Sequence, residues 1–372
     1  MEQHYTFSST ILFALYGGTI LLSLAASLYL LLRPNNAISS DITPPVRLRR
    51  WAAALLATIG ISHMWWLFIY YGPLEVDIYN RTLLCTALDA GIIMPTIMCT
   101  MLVMLQDRRR PQWPVIILTV LVLASLLAIY VLGIRNTAFV ALPTVVVLIS
   151  FIIAMVYAIK QYKHWLLDNF ADLQHKEVSA TFILMTAFIL IIIAYYFSND
   201  YYFFQVFIEM VDILFIFILL WRVETLQTLT EPDVDDNSDA TDDTGKASHR
   251  PDPIYTKLQS LLQQYCVDGQ YYLKHDATLA QLARLIGTNT TYLSQHFAHQ
   301  GLTYNAYINN LRIEHFEHLY REAVSKQLSP TATELAGQCG FRSYKAFSAA
   351  FKQNKGQTVS AWMRGNTIPI LK

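Results

Sequence analysis

The sequence predicts an all-α protein in two parts: a seven-helix transmembrane bundle, then a cytoplasmic all-helical domain with two helix-turn-helix units. Three observations carry this expectation. Seven apolar runs fill residues 1–229, each close to the roughly 20 residues a helix needs to cross a bilayer. Residues 230–253 form an acidic stretch with three prolines. Residues 254–372 are basic, and within them 278–362 repeat one short pattern of two helices and a sharp turn. The whole-chain figures, net charge zero and 54% hydrophobic residues, average over these unlike parts.

The apolar runs lie at about 9–32, 51–71, 83–105, 114–133, 139–159, 178–197 and 203–221. The first is not expected to be a cleaved signal peptide. Residues 1–9 hold no Lys or Arg, and the run exceeds the usual apolar region of about 7–15 residues. Arg33, Arg47, Arg49 and Arg50 follow the first run; Arg108, Arg109 and Arg110 follow the third. Lys160, Lys163 and Lys176 follow the fifth, and Arg222 ends the seventh, while the alternate loops hold only Arg81 and Arg135. Basic residues stay on the cytoplasmic side. The expectation is therefore a multi-pass protein of the bacterial inner membrane, N-terminus outside and C-terminus in the cytoplasm.

Ionisable groups at membrane depth are costly and face a bundle interior. His63, Asp89, Glu209 and Asp212 are the candidates, either as an intramembrane sensor for a ligand, ion or proton, or as partners in helix–helix hydrogen bonds. Glu209 and Asp212, three apart, share a helix face. Trp51, Trp65, Trp66, Tyr70, Tyr71, Tyr195, Tyr196, Tyr201, Tyr202 and Trp221 gather near the span ends, as in an interfacial belt. Pro95 and Pro143 are candidate kinks. The paired helix breaks and inverted repeat of transporters are not found.

Residues 230–253 carry eight acidic and two basic side chains after Thr230, and one aliphatic residue larger than Ala, Val234. Such a segment buries too little to fold. It is expected to be a disordered tether, serving as a solubilising spacer or as an internal competitor with phosphate for the basic domain. Residues 254–372 hold twelve Lys and Arg against six Asp and Glu, a balance that suits a polyanion. Cys85, Cys99, Cys266 and Cys339 show no metal-ligand spacing and are expected to be buried reduced thiols. The histidines of the C-terminal part, His275, His296, His299, His315 and His318, show none either, so no metal is expected there.

Each copy of the repeat has a local logic. Thr278 with Gln281, and Thr331 with Glu334, fit a capping box. Leu282-Ala283 and Leu335-Ala336 face the packing side, and Gly287 and Gly340 permit the sharp turn. Asn289 and Ser343 then cap a second helix, anchored by Leu293 and Phe297 in one copy and by Phe347 and Phe351 in the other. The outward faces carry Thr291, Gln295 and His299 in the first copy. In the second they carry Lys345, Ala349, Lys352 and Gln353, with Arg342 and Tyr344 at the helix start. Gln pairs with adenine, Lys reaches guanine or phosphate, and Ala or a Thr methyl touches thymine. Between the copies, residues 304–322 read as one helix with Tyr307, Leu311, His315 and Leu319 on a stripe. That helix would hold the two units about one turn of DNA apart.

The pattern Leu282-Ala283, Gly287, Tyr292-Leu293-Ser294, Phe297, Tyr307-Ile308 and Leu311-Arg312-Ile313 resembles the AraC/XylS-type transcription regulators. Leu335-Ala336, Gly340-Phe341, Phe347-Ser348, Phe351-Lys352 and Gly356-Gln357-Thr358 continue the resemblance over about 110 of the 372 residues. The resemblance implies a two-unit module that binds double-stranded promoter DNA, commonly as a homodimer, under a sensory partner domain. This chain departs from the pattern at Gln295 and Ala349, where a basic residue is usual, and at Val359, where Pro is common. Less base readout is expected from the second copy. No HExxH, nucleophile elbow or phosphate-cradling glycine loop is present, so neither enzymatic activity nor a cofactor is expected. The leading expectation is a membrane-integrated regulator whose bundle, dissolved in the lipid bilayer, answers an unknown small-molecule or membrane signal. The competing one is a transporter or membrane enzyme with a regulatory appendage.

Overall fold

The computed structural model describes residues 2–33, 43–70, 76–107, 110–173, 176–196, 201–229, 253–328 and 330–366. Arg108, Arg109, Tyr71 and the acidic residues of 230–252 lie outside them, as do the side chains of Tyr195, Tyr196, Tyr201 and Tyr202. Among the described residues every extended element is helical, and one isolated antiparallel bridge joins Phe170 to Thr278. The chain forms two compact units. One comprises Met1–Tyr162 and His175–Leu229; the other comprises Lys163–Gln174 and Thr230–Lys372.

The first unit contains α1 (Glu2–Leu32), α2 (Val46–Trp65), α3 (Ile78–Met104), α4 (Trp113–Val131), α6 (Ser179–Tyr196), α7 (Tyr201–Thr225) and most of α5 (Thr137–Asn169). A π-helical turn, Trp66–Tyr70, extends α2. Five of these helices are long and apolar enough to cross a bilayer, over Thr10–Leu32, Val46–Ile69, Ile78–Met104, Trp113–Val131 and Leu142–Asn169. They are the first five runs read from the sequence. The last of them continues ten residues past the expected end of its span. Pro95 and Pro143 both lie inside continuous helices.

Small residues set how closely these helices approach, as they must where neighbouring apolar surfaces give no hydrophobic drive. A Cβ on Gly60 would meet Ser23 Oγ at 2.6 Å, and Ser27 Oγ donates to the Ala53 carbonyl at 2.8 Å. Large apolar side chains point the other way: Leu21 and Val131 are 72% and 73% exposed. Rows of exposed Leu, Ile and Val along 20-residue helices are stable in lipid and not in water.

The loops fall into two groups. Thr228 N donates to the Thr43 carbonyl at 2.9 Å, and Gln106 both donates to Gln227 O (3.1 Å) and accepts from Leu229 N (3.1 Å). Arg222 reaches the Glu177 carbonyl. The segments after α1, α3, α5 and α7 thus meet one another. On the other side, Arg135 pairs with Asp77 at 3.4 Å and Tyr79 Oη donates to Ile134 O, joining the loops after α2 and α4.

In the second unit α8 (Pro253–Leu261) runs on as a π-helical stretch, Leu262–Asp268, and a 3-10 turn, Tyr271–Leu273. Then come α9 (Leu279–Ile286), α10 (Thr290–His299), α11 (Tyr304–Ser325), α12 (Ala332–Gln338), α13 (Tyr344–Lys355) and α14 (Val359–Asn366). Two cores share α11. Tyr304 and Ile308 pack with α9 and α10, while Ile313, Phe316 and Tyr320 pack with α12, α13 and Trp362. The buried seam is therefore Tyr304, Ile308, Arg312, Ile313, Phe316 and Tyr320, and Tyr307, Leu311, His315 and Leu319 are only half-buried beside it. Arg312, 1% exposed, donates to the carbonyls of Tyr272 (2.7 Å) and Lys274 (2.6 Å) and lies over the Phe341 ring.

Segment 163–174 belongs to this unit. Ala171 sits in the first core, its N–H donates to Ala277 O at 3.1 Å, and Asn305 Nδ2 donates to the carbonyls of Phe170 (3.1 Å) and Ala171 (2.7 Å).

Candidate nucleic-acid interface and intramembrane polar cluster

The two helix pairs of the second unit are built from local signals. Both capping boxes form: Gln281 N to Thr278 Oγ1 at 3.2 Å with Thr278 N to Gln281 Oε1 at 3.3 Å, and Glu334 N to Thr331 Oγ1 at 3.3 Å with Thr331 N to Glu334 Oε2 at 3.1 Å. Asn289 Oδ1 accepts from Tyr292 N at 2.8 Å, and Ser343 Oγ accepts from Ala346 N at 3.3 Å. These caps satisfy N–H groups that a helix start leaves open. Gly287 and Gly340 take φ of +71° and +83°, the region L-residues avoid.

Once Leu293 and Phe297, and Phe347 and Phe351, are buried, the opposite faces are fixed. Thr291, Gln295 and His299 are exposed on α10, and Lys345, Ala349, Lys352 and Gln353 on α13. Arg342 and Tyr344 are exposed where α13 begins, and Arg342 pairs with Asp276 at 3.4 Å. Tyr292, quoted from the sequence only within the family resemblance, is 54% exposed beside Gln295 and Thr291. Its spacing from Gln295 was the available clue. His296 is buried, with Gln300 Nε2 3.0 Å from its Nε2. Cys266 and Cys339 are buried free thiols, both pushed up to about 12 by burial, so neither is a thiolate nucleophile.

The four candidate groups of the bundle separate into two arrangements. Asp89 is held by donors: Ser62 Oγ at 2.8 Å and Trp65 Nε1 at 3.1 Å to Oδ1, and Trp66 Nε1 at 2.8 Å to Oδ2. Trp65 and Trp66 are thus committed to this carboxylate as well as standing near a helix end. His63 instead meets Glu209 and Asp212, its Nε2 at 3.3 Å from Glu209 Oε1 and 3.5 Å from Asp212 Oδ2. Thr19 of α1 donates to Glu209 Oε2 at 2.8 Å, and the Tyr16 ring stands edge-on to His63.

Residues 282–365 match the family model described as a helix-turn-helix domain, of the AraC type. The matched stretch begins within α9 and runs through α10, α11, α12 and α13 into α14. No curated protein and no solved structure matches the chain.

Proposed function

We propose that this chain, whose C-terminal region carries an AraC-type helix-turn-helix domain behind a region of membrane-spanning helices, is a membrane-integrated transcription regulator of a bacterial inner membrane. In this reading the bundle crosses the bilayer seven times with the N-terminus outside. A signal at or in the membrane alters how the C-terminal domain engages promoter DNA. The observation that carries the proposal is the match over 282–365, whose two helix pairs expose polar and cationic faces opposite their buried anchors.

The topology draws support from the loops. Arg33, Arg110 and Arg222 lie with the segments after α1, α3 and α7, which contact one another, while Asp77 and Arg135 lie in the opposite group. An odd number of crossings with the basic loops inside delivers the DNA-binding region to the compartment that holds DNA. On α10, Thr291, Gln295 and His299 would read base edges. On α13, Lys345, Lys352 and Gln353 would combine phosphate and base contacts, with Arg342 and Tyr344 at the helix start and Ala349 against a thymine methyl. A homodimer held in the membrane would meet paired sites at high effective concentration.

The test uses the full chain, because Ala171 supplies part of the core of the second unit. Tagged protein in intact cells is crosslinked and the bound DNA sequenced, and the enriched sites are then titrated with purified protein in lipid nanodiscs at rising salt. Discrete chromosomal peaks, and affinity that falls steeply with salt, are expected. Uniform recovery of the chromosome, or cleavage of the C-terminal region by protease applied outside the cell membrane, would overturn the proposal.

A further inference from the structure

Where α1, α2 and α7 meet, ligand atoms of His63, Glu209 and Asp212 lie within 4.8 Å of one another. Glu209 is 2% and Asp212 8% exposed. The tautomer of His63 is fixed by its other nitrogen. Nδ1 lies 2.8 Å from the Ile59 carbonyl, which only accepts, so Nδ1 carries the proton and the lone pair of a neutral ring sits on Nε2. That nitrogen faces the two carboxylates. The same device, a ring N–H held by a backbone carbonyl, orients histidines that ligate metals.

Three electron-rich atoms converging in apolar surroundings repel unless positive charge stands among them. A proton on Nε2 balances one carboxylate and a second proton is then needed on the other, whereas a single divalent cation balances both. The spacing agrees. Ligand bonds of about 2.1 Å in tetrahedral geometry put ligand atoms about 3.4 Å apart, and His63 Nε2 stands 3.3 and 3.5 Å from the two oxygens.

We propose that His63, Glu209 and Asp212 bind a divalent transition-metal cation of the zinc, manganese or iron class, and that this cation is the signal the bundle senses. One imidazole and two carboxylates suit that class over calcium or magnesium, which take all-oxygen shells. Three protein ligands leave a further position for water, as suits a cation that exchanges. Thr19 acts as a positioning residue, holding the second oxygen of Glu209. Binding would tie α2 to α7, since the ligands come from those two helices. The second half of the proposal rests on the sensory reading of the bundle; the site itself does not.

The test begins with untagged full-length protein in nanodiscs, stripped with chelator and dialysed against zinc or manganese. One equivalent per chain is expected. His63→Ala, Glu209→Gln and Asp212→Asn should each abolish retention, and Thr19→Val should weaken it by about tenfold, while Asp89→Asn retains it. If the ligand variants fail to fold, cobalt added to wild-type protein serves instead, and intense visible bands of a low-coordinate site are expected. Retention of no cation by the wild type, equal retention by the ligand variants, or only weak octahedral cobalt bands would overturn the site. Promoter occupancy is then compared with and without chelator. An unchanged occupancy with the site intact overturns the sensing role, and occupancy that disappears in both conditions points to failure of the DNA-binding reading instead.

Discussion

The two helix pairs share caps, turn glycines and anchor spacing, yet they are built differently. The first packs Leu279, Leu282, Ile286 and Leu293 around a single phenylalanine of its own, Phe297. The second packs Phe341, Phe347 and Phe351 against Phe316 and Trp362, with Phe316 and Phe347 centroids 4.6 Å apart. Their turns differ too. A Cβ at Gly287 would meet nothing within 4 Å, whereas one at Gly340 would lie 2.6 Å from the Leu273 carbonyl oxygen. Equal motifs therefore carry unequal constraint: Gly287 is needed for its backbone angle, and Gly340 also for the space beside it.

The largest expected effect follows from that contrast. Gly287→Ala should cost about 1–2 kcal/mol for a left-handed alanine. Gly340→Ala adds an overlap with backbone that has no flexible end to yield, worth about 1–3 kcal/mol more. Hydrogen exchange on the full chain should show α12 and α13 losing protection in the second variant, and only modest loosening of α9 and α10 in the first. Equal losses would remove the steric half of the contrast.

The exposed faces extend it to DNA. The first pair presents Thr291, Gln295 and His299, and the second presents Lys345 and Lys352. Gln295→Ala is expected to relax sequence preference, by about 1–3 kcal/mol at one base pair. Lys352→Ala is expected to weaken binding to all sequences alike and to reduce the salt slope by about one. Binding of selected and scrambled duplexes at several salt concentrations separates the two. If the variants behave alike, the pairs do not divide readout and anchoring in this way.

What was legible in the sequence follows from range. Capping boxes and anchor pairs act between residues three or four apart, so Thr278, Thr331, Phe347 and Phe351 announce themselves. The stripe on α11 packs against both cores at its edge, while the fully buried set lies beside it, because that helix is covered on two sides. A single-stripe reading selects Tyr307, Leu311, His315 and Leu319, and misses Arg312, whose partners are carbonyls some 40 residues earlier. In the bundle, Glu209 and Asp212 share a face by spacing alone, but only packing adds His63 to them and gives Asp89 separate donors. Nothing in the composition of 163–174 marks it as part of the second unit.

That segment offers a further contrast, since it contacts the first pair's core. Asn305→Ala removes both side-chain bonds to the Phe170 and Ala171 carbonyls, an expected loss of about 1–2 kcal/mol. Exchange should rise at Ala171 N and in the first turn of α9, with α13 unchanged. A matching rise in α13 would mean that the two cores open together through α11, and the pairs would have to be treated as one cooperative body.

The smallest expected effect is one of pH. Burial, with the neighbouring His299, lowers the pKa of His296 below its ordinary value of 6.5, so the ring is neutral in the fold and accepts from Gln300. The unfolded chain binds that proton more readily. Stability is therefore fully present above pH 6.5 and falls as the pH drops below it. His315 on α11 has the same sign for the same cause, burial aided by His318, but residues 331–366 contain no histidine. Acidifying from neutrality should thus raise exchange in α10 before α13, and His296→Gln, which keeps a hydrogen-bonding group without titrating, should flatten the response. A response that persists unchanged in that variant would move its origin to His315, and with it from the first pair to the helix both pairs share.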